Sequence, residues 1–178
     1  MNEGRPYEPP RIEQMNAFAT HAPLLAAMVA RSTGPILEIG MGHYSTPLLH
    51  FMGMATGREV NSVDVNEAWC QFFAERFLGP LHSFACTRGI KPSEWLQTIP
   101  RKYGVAFIDH SPEGDRVPCI KLLRQHAEYI VVHDTDPDAC SGGVYGWGNI
   151  FDTFKYRFDW NIYGNNTTIV SDTKEIGL

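Results

Sequence analysis

Long hydrophobic runs are missing from this sequence: no apolar stretch approaches the ~20 residues that span a bilayer, so no membrane partner is expected. Basic charge is also scarce. Fifteen Lys and Arg stand against 20 Asp and Glu, a formal net charge of -5, and no basic run or stripe marks a surface for a nucleic-acid backbone. The start, Met1-Asn-Glu-Gly-Arg-Pro6, lacks the basic-then-apolar build of a secretory signal. Cysteine is sparse, and Cys70, Cys86, Cys119 and Cys140 form no Cys-x-x-Cys pair. Reduced, structural thiols in a cytoplasmic protein are the expectation. Repeats, low-complexity tracts and long linkers are absent, which argues against a multidomain or repeat architecture.

What remains is 178 residues of ordinary globular composition, 43% hydrophobic and 20% charged, enough for a single domain over 1–178 that needs no staples. Met1–Pro10 is polar and proline-rich and reads as an arm; Ile12, Met15, Phe18 and Ala19 then recur at helical spacing. Pro23 marks the first turn of a helix running to Arg31. Apolar strands follow at Ile36–Ile39, Val60–Val63, Leu81–Cys86, Val105–Ile108 and Tyr129–Val132. Helices separate them, over Ser45–Met54, Glu67–Leu78 with Asn66 as cap, Pro92–Leu96 and Asp115–His126. Strands alternating with helices imply an α/β fold: a parallel sheet with helices on both faces and right-handed crossovers. Asp138–Phe151, rich in glycine with Tyr145 and Trp147, reads as a lid loop. A short helix near Asn149–Lys155 leads to Tyr156–Tyr163, the turn Gly164-Asn-Asn166 and Thr167–Ser171, a β-hairpin.

The densest chemistry lies in Pro35-Ile-Leu-Glu-Ile-Gly-Met-Gly-His-Tyr-Ser-Thr46. A strand carrying one acid, Glu38, breaks into Gly40-Met-Gly42 just before a helix opens at Tyr44–Ser45. Such a turn sets helix-start amides beside a ligand. Asp64 closes the second strand about 20 residues on, where ribose-binding acids of nucleotide folds sit. In an open parallel sheet, ligands bind beyond the carboxyl ends of the strands. Those ends here are Glu38–Gly42, Asp64, Cys86–Thr87, Asp109–His110 and His133–Asp136. A dinucleotide is a competing ligand, but its fingerprint wants a third small residue where this chain has Ser45, followed by Thr46 and Pro47.

The turn, the spaced Asp64, Phe107-Ile-Asp-His110 and Val132-His-Asp-Thr135, in that order, resemble the class I S-adenosylmethionine-dependent methyltransferases. The likeness covers about Leu25 to Ser171. It is strongest for the small-molecule O-methyltransferase branch of bacterial or phage type, which includes catechol-type enzymes. The resemblance implies a Rossmann-like, doubly wound, mostly parallel seven-stranded sheet with a C-terminal antiparallel hairpin. It implies methyl transfer from S-adenosylmethionine to a small-molecule acceptor, onto oxygen. Alternatives are another enzyme of the same cofactor, by cleavage or rearrangement, and a non-catalytic binding protein. Carried over residue by residue, the cofactor falls to Glu38, Gly40, Gly42, Tyr44, Ser45, Asp64, Thr87, Asp109 and His110. Catalysis falls to Asp109, His110 and His133, with His43 and Glu113 as weaker bases. A divalent cation such as Mg2+ falls to Asp109 and Asp134 with Asp136, because Thr135 stands where that branch has an amide. The branch's lysine after the Asp-His pair is missing in Asp109-His-Ser-Pro-Glu113. The chain is short for such an enzyme, so a second subunit is expected to complete the pocket in a homo-oligomer.

Overall fold

A computed structural model describes residues 17–99, 101–137, 142–162 and 164–178. The arm Met1–Pro10, Ile12, Met15, residues 138–141 of the expected lid (Cys140 among them) and Tyr163 lie outside the described residues. Seven strands form one sheet: β1 (Ile36–Ile39), β2 (Val60–Asp64), β3 (His82–Cys86), β4 (Tyr103–Ile108), β5 (Ala127–His133), β6 (Tyr156–Trp160) and β7 (Thr167–Ser171). Their order is β3-β2-β1-β4-β5-β7-β6. β1 to β5 are mutually parallel, and β7 runs antiparallel to both β5 and β6. Strand order reverses between β1 and β4, and this switch point opens a crevice at the carboxyl edge.

Side chains alternate across the sheet and build a core on each face. Leu37, Ile39, Ala106, Ile108, Ile130 and Val132 pack with Ile120 and Leu123 of α5 (Arg116–Leu123). Ile36, Val105, Phe107, Tyr129, Val131 and Ile169 pack with Leu25 and Met28 of α1 (Ala22–Arg31) and Leu49 of α2 (Ser45–Thr56). Each such fully buried aliphatic chain stabilises the fold by about 1.5–3 kcal/mol. α3 (Glu67–Phe77) starts where the Asn66 side chain accepts the Trp69 amide, and α2 stops at Gly57, whose φ of +66° no β-branched residue would adopt readily. α4 (Pro92–Leu96) is a short turn of helix between β3 and β4.

Several expected boundaries move. Residues 17–19 form a 3₁₀ turn; Glu113–Asp115 winds as 3₁₀ before α5, and α5 stops at Leu123, with residues 124–126 in a turn where the expected helix runs on to His126. The expected helix near Asn149–Lys155 is a single 3₁₀ turn, Ile150–Thr153. In the described part of the glycine-rich loop, Trp147, Ile150 and Phe151 join the core and Tyr145 stacks on Trp147 with ring centroids 4.9 Å apart, while Gly142, Gly143, Val144, Gly146 and Gly148 are exposed. No helix among the described residues is long and apolar enough to cross a membrane.

Candidate active site at the carboxyl edge of the sheet

The first turn is held from below. Gly40 has φ +93°, and a Cβ there would lie 2.3 Å from the Asp109 carbonyl oxygen. Only glycine lets the end of β1 lie against the end of β4. The Met41 N–H donates to Asp64 Oδ2 (2.9 Å) and the Asn66 N–H to Asp64 Oδ1 (2.8 Å). Burial raises the Asp64 pKa while those two amides pull it back. Each oxygen keeps a second lone pair for a hydroxyl donor. Glu38 is fully buried beneath the turn. The Gly42 N–H donates to Thr46 Oγ1 (3.0 Å), whose hydroxyl donates to Glu38 Oε1 (3.0 Å); the Ser62 and Ser45 hydroxyls donate to the same carboxylate. Burial nevertheless raises the Glu38 pKa to about 7. Ser45 therefore turns its hydroxyl down into the fold, leaving the opening turn of α2 as the anion-favouring feature there. Tyr44 caps that turn, 41% exposed. His43 is exposed, its ring edge-on to Trp69 at 5.0 Å, and the Trp69 Nε1–H donates to the Met41 carbonyl.

Past β3 and β4, polar groups are buried without partners. Thr87 is 4% exposed, and its hydroxyl has no hydrogen-bond partner. His110 is equally buried, and neither ring nitrogen is paired. Burial, with the Arg116 charge second, lowers its pKa to about 4, so the ring is neutral near pH 7. It faces α5, grouped with Asp115 and Cys119. Asp115 already accepts the Ser93 N–H (2.9 Å) and the Ser93 hydroxyl.

Asp109 and His133 face the α1 side instead. Asp109 Oδ1 pairs with Arg116 Nη2 (3.1 Å), and Asp134 Oδ2 lies 3.6 Å from Arg116 Nη1. Arg116 is 4% exposed; its Nε–H donates to the His110 carbonyl (2.8 Å) and its Nη1 to the His133 carbonyl (3.0 Å). Asp134 adopts φ +56°, which brings its carboxylate back to this guanidinium and to the Tyr145 hydroxyl (3.4 Å) and Asn165 Nδ2 (2.6 Å). His133 Nδ1 meets Asp109 Oδ2 at 3.3 Å, and Nε2 meets Thr20 Oγ1 at 3.1 Å. The Thr20 hydroxyl donates to the Asn165 carbonyl (3.0 Å), so both His133 nitrogens donate and the ring is best served as imidazolium. Burial opposes that charge, but the hydrogen bond and charge of Asp109 and the charge of Asp134 outweigh it and raise the His133 pKa.

No protein-family model and no curated protein matches the chain. Solved structures do. The O-methyltransferase from Bacillus cereus, solved with SAH, superposes with TM-score 0.64 at 16% identity over 85% of this chain and 80% of that one. An rRNA methylase from Streptococcus thermophilus gives 0.56 at 13% over 85% and 95%. Spermidine synthase, in complex with the transition-state analogue AdoDATO, gives 0.62 at 12% over 87% and 59%. The chain has the class I methyltransferase fold.

Within that fold, the expected site residues fall into two groups. Gly40, Gly42, Tyr44, Ser45, Asp64, Thr87 and His110 surround the end of β1 and the β2–β3 side. Asp109, His133 and Asp134 gather at β4 and β5. The expected oxygen set of Asp109, Asp134 and Asp136 does not form. Arg116 supplies the positive charge between the first two acids, and Asp136 turns away to accept the Asn166 N–H (3.2 Å). Three residues escape the sequence reading: Arg116, His21 and Thr20. Arg116 did carry a signal, because a cation opening a helix opposes the macrodipole and so demands an anion nearby. His21 sits at the N-cap of α1, where a histidine caps poorly and the side chain makes no cap bond.

Proposed function

We propose that the chain is an S-adenosylmethionine-dependent methyltransferase acting on oxygen of a small-molecule acceptor. One observation supports this reading most. Among the described residues, buried polar atoms without partners crowd the carboxyl edge: Thr87 Oγ1, Thr167 Oγ1 and the ring nitrogens of His110 and His21. The Tyr103 hydroxyl, at the amino end of β4, lies away from that edge. Leaving such groups dry and unpaired costs about 1–3 kcal/mol each, a cost a bound polar ligand would recover. The residues present fit an adenosine-containing cofactor: Asp64 has lone pairs for ribose hydroxyls, Thr87 an unused hydroxyl for a base edge, and His110 a neutral, buried ring after β4.

When bound, S-adenosylmethionine supplies an electrophilic methyl group on a sulfonium. The chain's own residues then orient and exclude water. Asp109, whose side chain is 24% exposed, faces the acceptor and accepts a hydrogen bond from its hydroxyl. His133 and Arg116 hold the Asp109 carboxylate from two sides and fix its direction, making His133 a positioning residue. Tyr145 and Trp147 wall the β5 side. The net charge of -5 with no basic stripe favours a small acceptor over RNA.

Calorimetric titration with S-adenosylhomocysteine tests the cofactor assignment: saturable heat and thermal protection are expected, and Asp64→Ala should weaken binding at least tenfold. Absence of both effects overturns it. Incubation with S-adenosylmethionine and a panel of phenols and carboxylic acids, followed by mass analysis, tests the reaction. Adenosylhomocysteine formed only with acceptor supports methyl transfer; a cleaved nucleoside formed without acceptor replaces it with lysis.

A further inference from the structure

His21 is 2% exposed, and neither ring nitrogen has a hydrogen-bond partner. A dry, unpaired imidazole is costly, and this one is placed against chemistry rather than against a plain core. Its ring lies 4.7 Å from Phe107 and edge-on to His133 at 4.6 Å, centroid to centroid. One nitrogen of His21, one of His133 and a carboxylate oxygen of Asp109 all lie within 4.8 Å of one another. We propose that His21, Asp109 and His133 form a binding site for a divalent transition-metal ion of the zinc or cobalt class.

Geometry and donor chemistry carry this. His133 Nδ1 and Asp109 Oδ2 are 3.3 Å apart, the span that two metal–ligand bonds of about 2.0–2.2 Å subtend at a tetrahedral or octahedral angle. Binding the ion releases the His133 Nδ1 proton that now meets Asp109 and Asp134, and His21 closes the rest of its separation. Two imidazoles with one carboxylate select a transition metal over Mg2+ or Ca2+, which want oxygen alone. Outer contacts hold both: His133 Nε2 against Thr20 and Asp109 Oδ1 against Arg116, the arrangement that orients metal ligands elsewhere. Three protein ligands leave positions open toward the acceptor side. The inference needs no bound nucleoside and stands apart from the donor assignment.

The test is Co2+ titration of chelator-treated protein, read by visible absorption, with bound metal counted by elemental analysis. One equivalent with d–d bands is expected, displaced by Zn2+ but not by excess Mg2+. His21→Ala should lose at least a hundredfold in affinity while its circular dichroism stays unchanged. No retained cobalt, or equal retention by His21→Ala, overturns the site. So does a thiolate-to-cobalt band abolished by Cys119→Ser, which would place the metal on His110, Asp115 and Cys119 instead. Adenosylhomocysteine titration on the same metal-free samples reads the donor site separately, so either assignment can fail alone.

Discussion

Arg116 decides the electrostatics at the scale of single residues. Its guanidinium is buried between Asp109 and Asp134 and also donates to two backbone carbonyls, so its removal leaves the two acids with only His133 beside them. Breaking a buried ion pair from one side typically costs about 3–5 kcal/mol. Arg116→Met should therefore lower the unfolding free energy by that much, read as a lower urea midpoint at an unchanged m-value. A loss under about 1 kcal/mol would mean that solvent already screens the acids. The same residue shows where sequence reading stops. Asp109, His133 and Asp134 are visible because they end strands, where a parallel sheet displays its chemistry. Arg116 lies seven residues beyond Asp109, inside a helical pattern, and only the folded crossover brings it back to the acids. His21 is hidden for the same reason: its partner His133 is more than a hundred residues away.

Among the elements, the turn after β1 separates two glycines that look alike in the sequence. Gly40 needs its positive φ and has backbone where a Cβ would be, whereas a Cβ on Gly42 would meet only the Ser45 hydroxyl, at 3.1 Å. Gly40→Ala should cost at least about 2 kcal/mol, from strain together with parting of β1 and β4. Gly42→Ala should unfold within about 1 kcal/mol of the parent yet bind adenosylhomocysteine at least tenfold more weakly, because the amide edge it crowds is the ligand's side of the turn. Thermal melts and calorimetry on both variants check the pair; equal stability losses would erase the distinction. The elements themselves were legible. Alternating apolar runs and a capping Asn66 mark β1 to β5 and α1 to α4, and the Gly164-Asn-Asn166 turn marks the hairpin. How the described part of the glycine-rich segment packs was not legible, because glycine spacing says nothing about where Trp147 and Phe151 point. Tertiary packing draws both into the core.

For the molecule as a whole, the buried titratable groups pull stability in opposite directions with pH. Burial lowers His21 to about 3, with His133 adding to the effect. It lowers His82 to about 4, helped by His50, and His110 to about 4, helped by Arg116. Their unfolded forms take up protons below about pH 6.5, so the folded state loses stability as pH falls from there toward 4. Glu38, raised to about 7, and Asp64, raised by burial, act the other way. Folded Glu38 keeps a proton that the unfolded chain releases above about pH 4.5, so its contribution is present in acid and disappears as pH climbs through 7. Three imidazoles outweigh two carboxyls, and each net proton is worth about 1.4 kcal/mol per pH unit. Urea unfolding between pH 4.5 and 6.5 should therefore show stability rising with pH, and the rise should flatten near pH 6.5, where the raised His133 begins to oppose it. Glu38→Gln isolates the opposing part: its parent-minus-variant difference should shrink by up to about 3 kcal/mol between pH 4.5 and 8, then stay flat. A difference constant across that range would mean that Glu38 is ionised throughout, and that Thr46, Ser62 and Ser45 solvate it as well as water does.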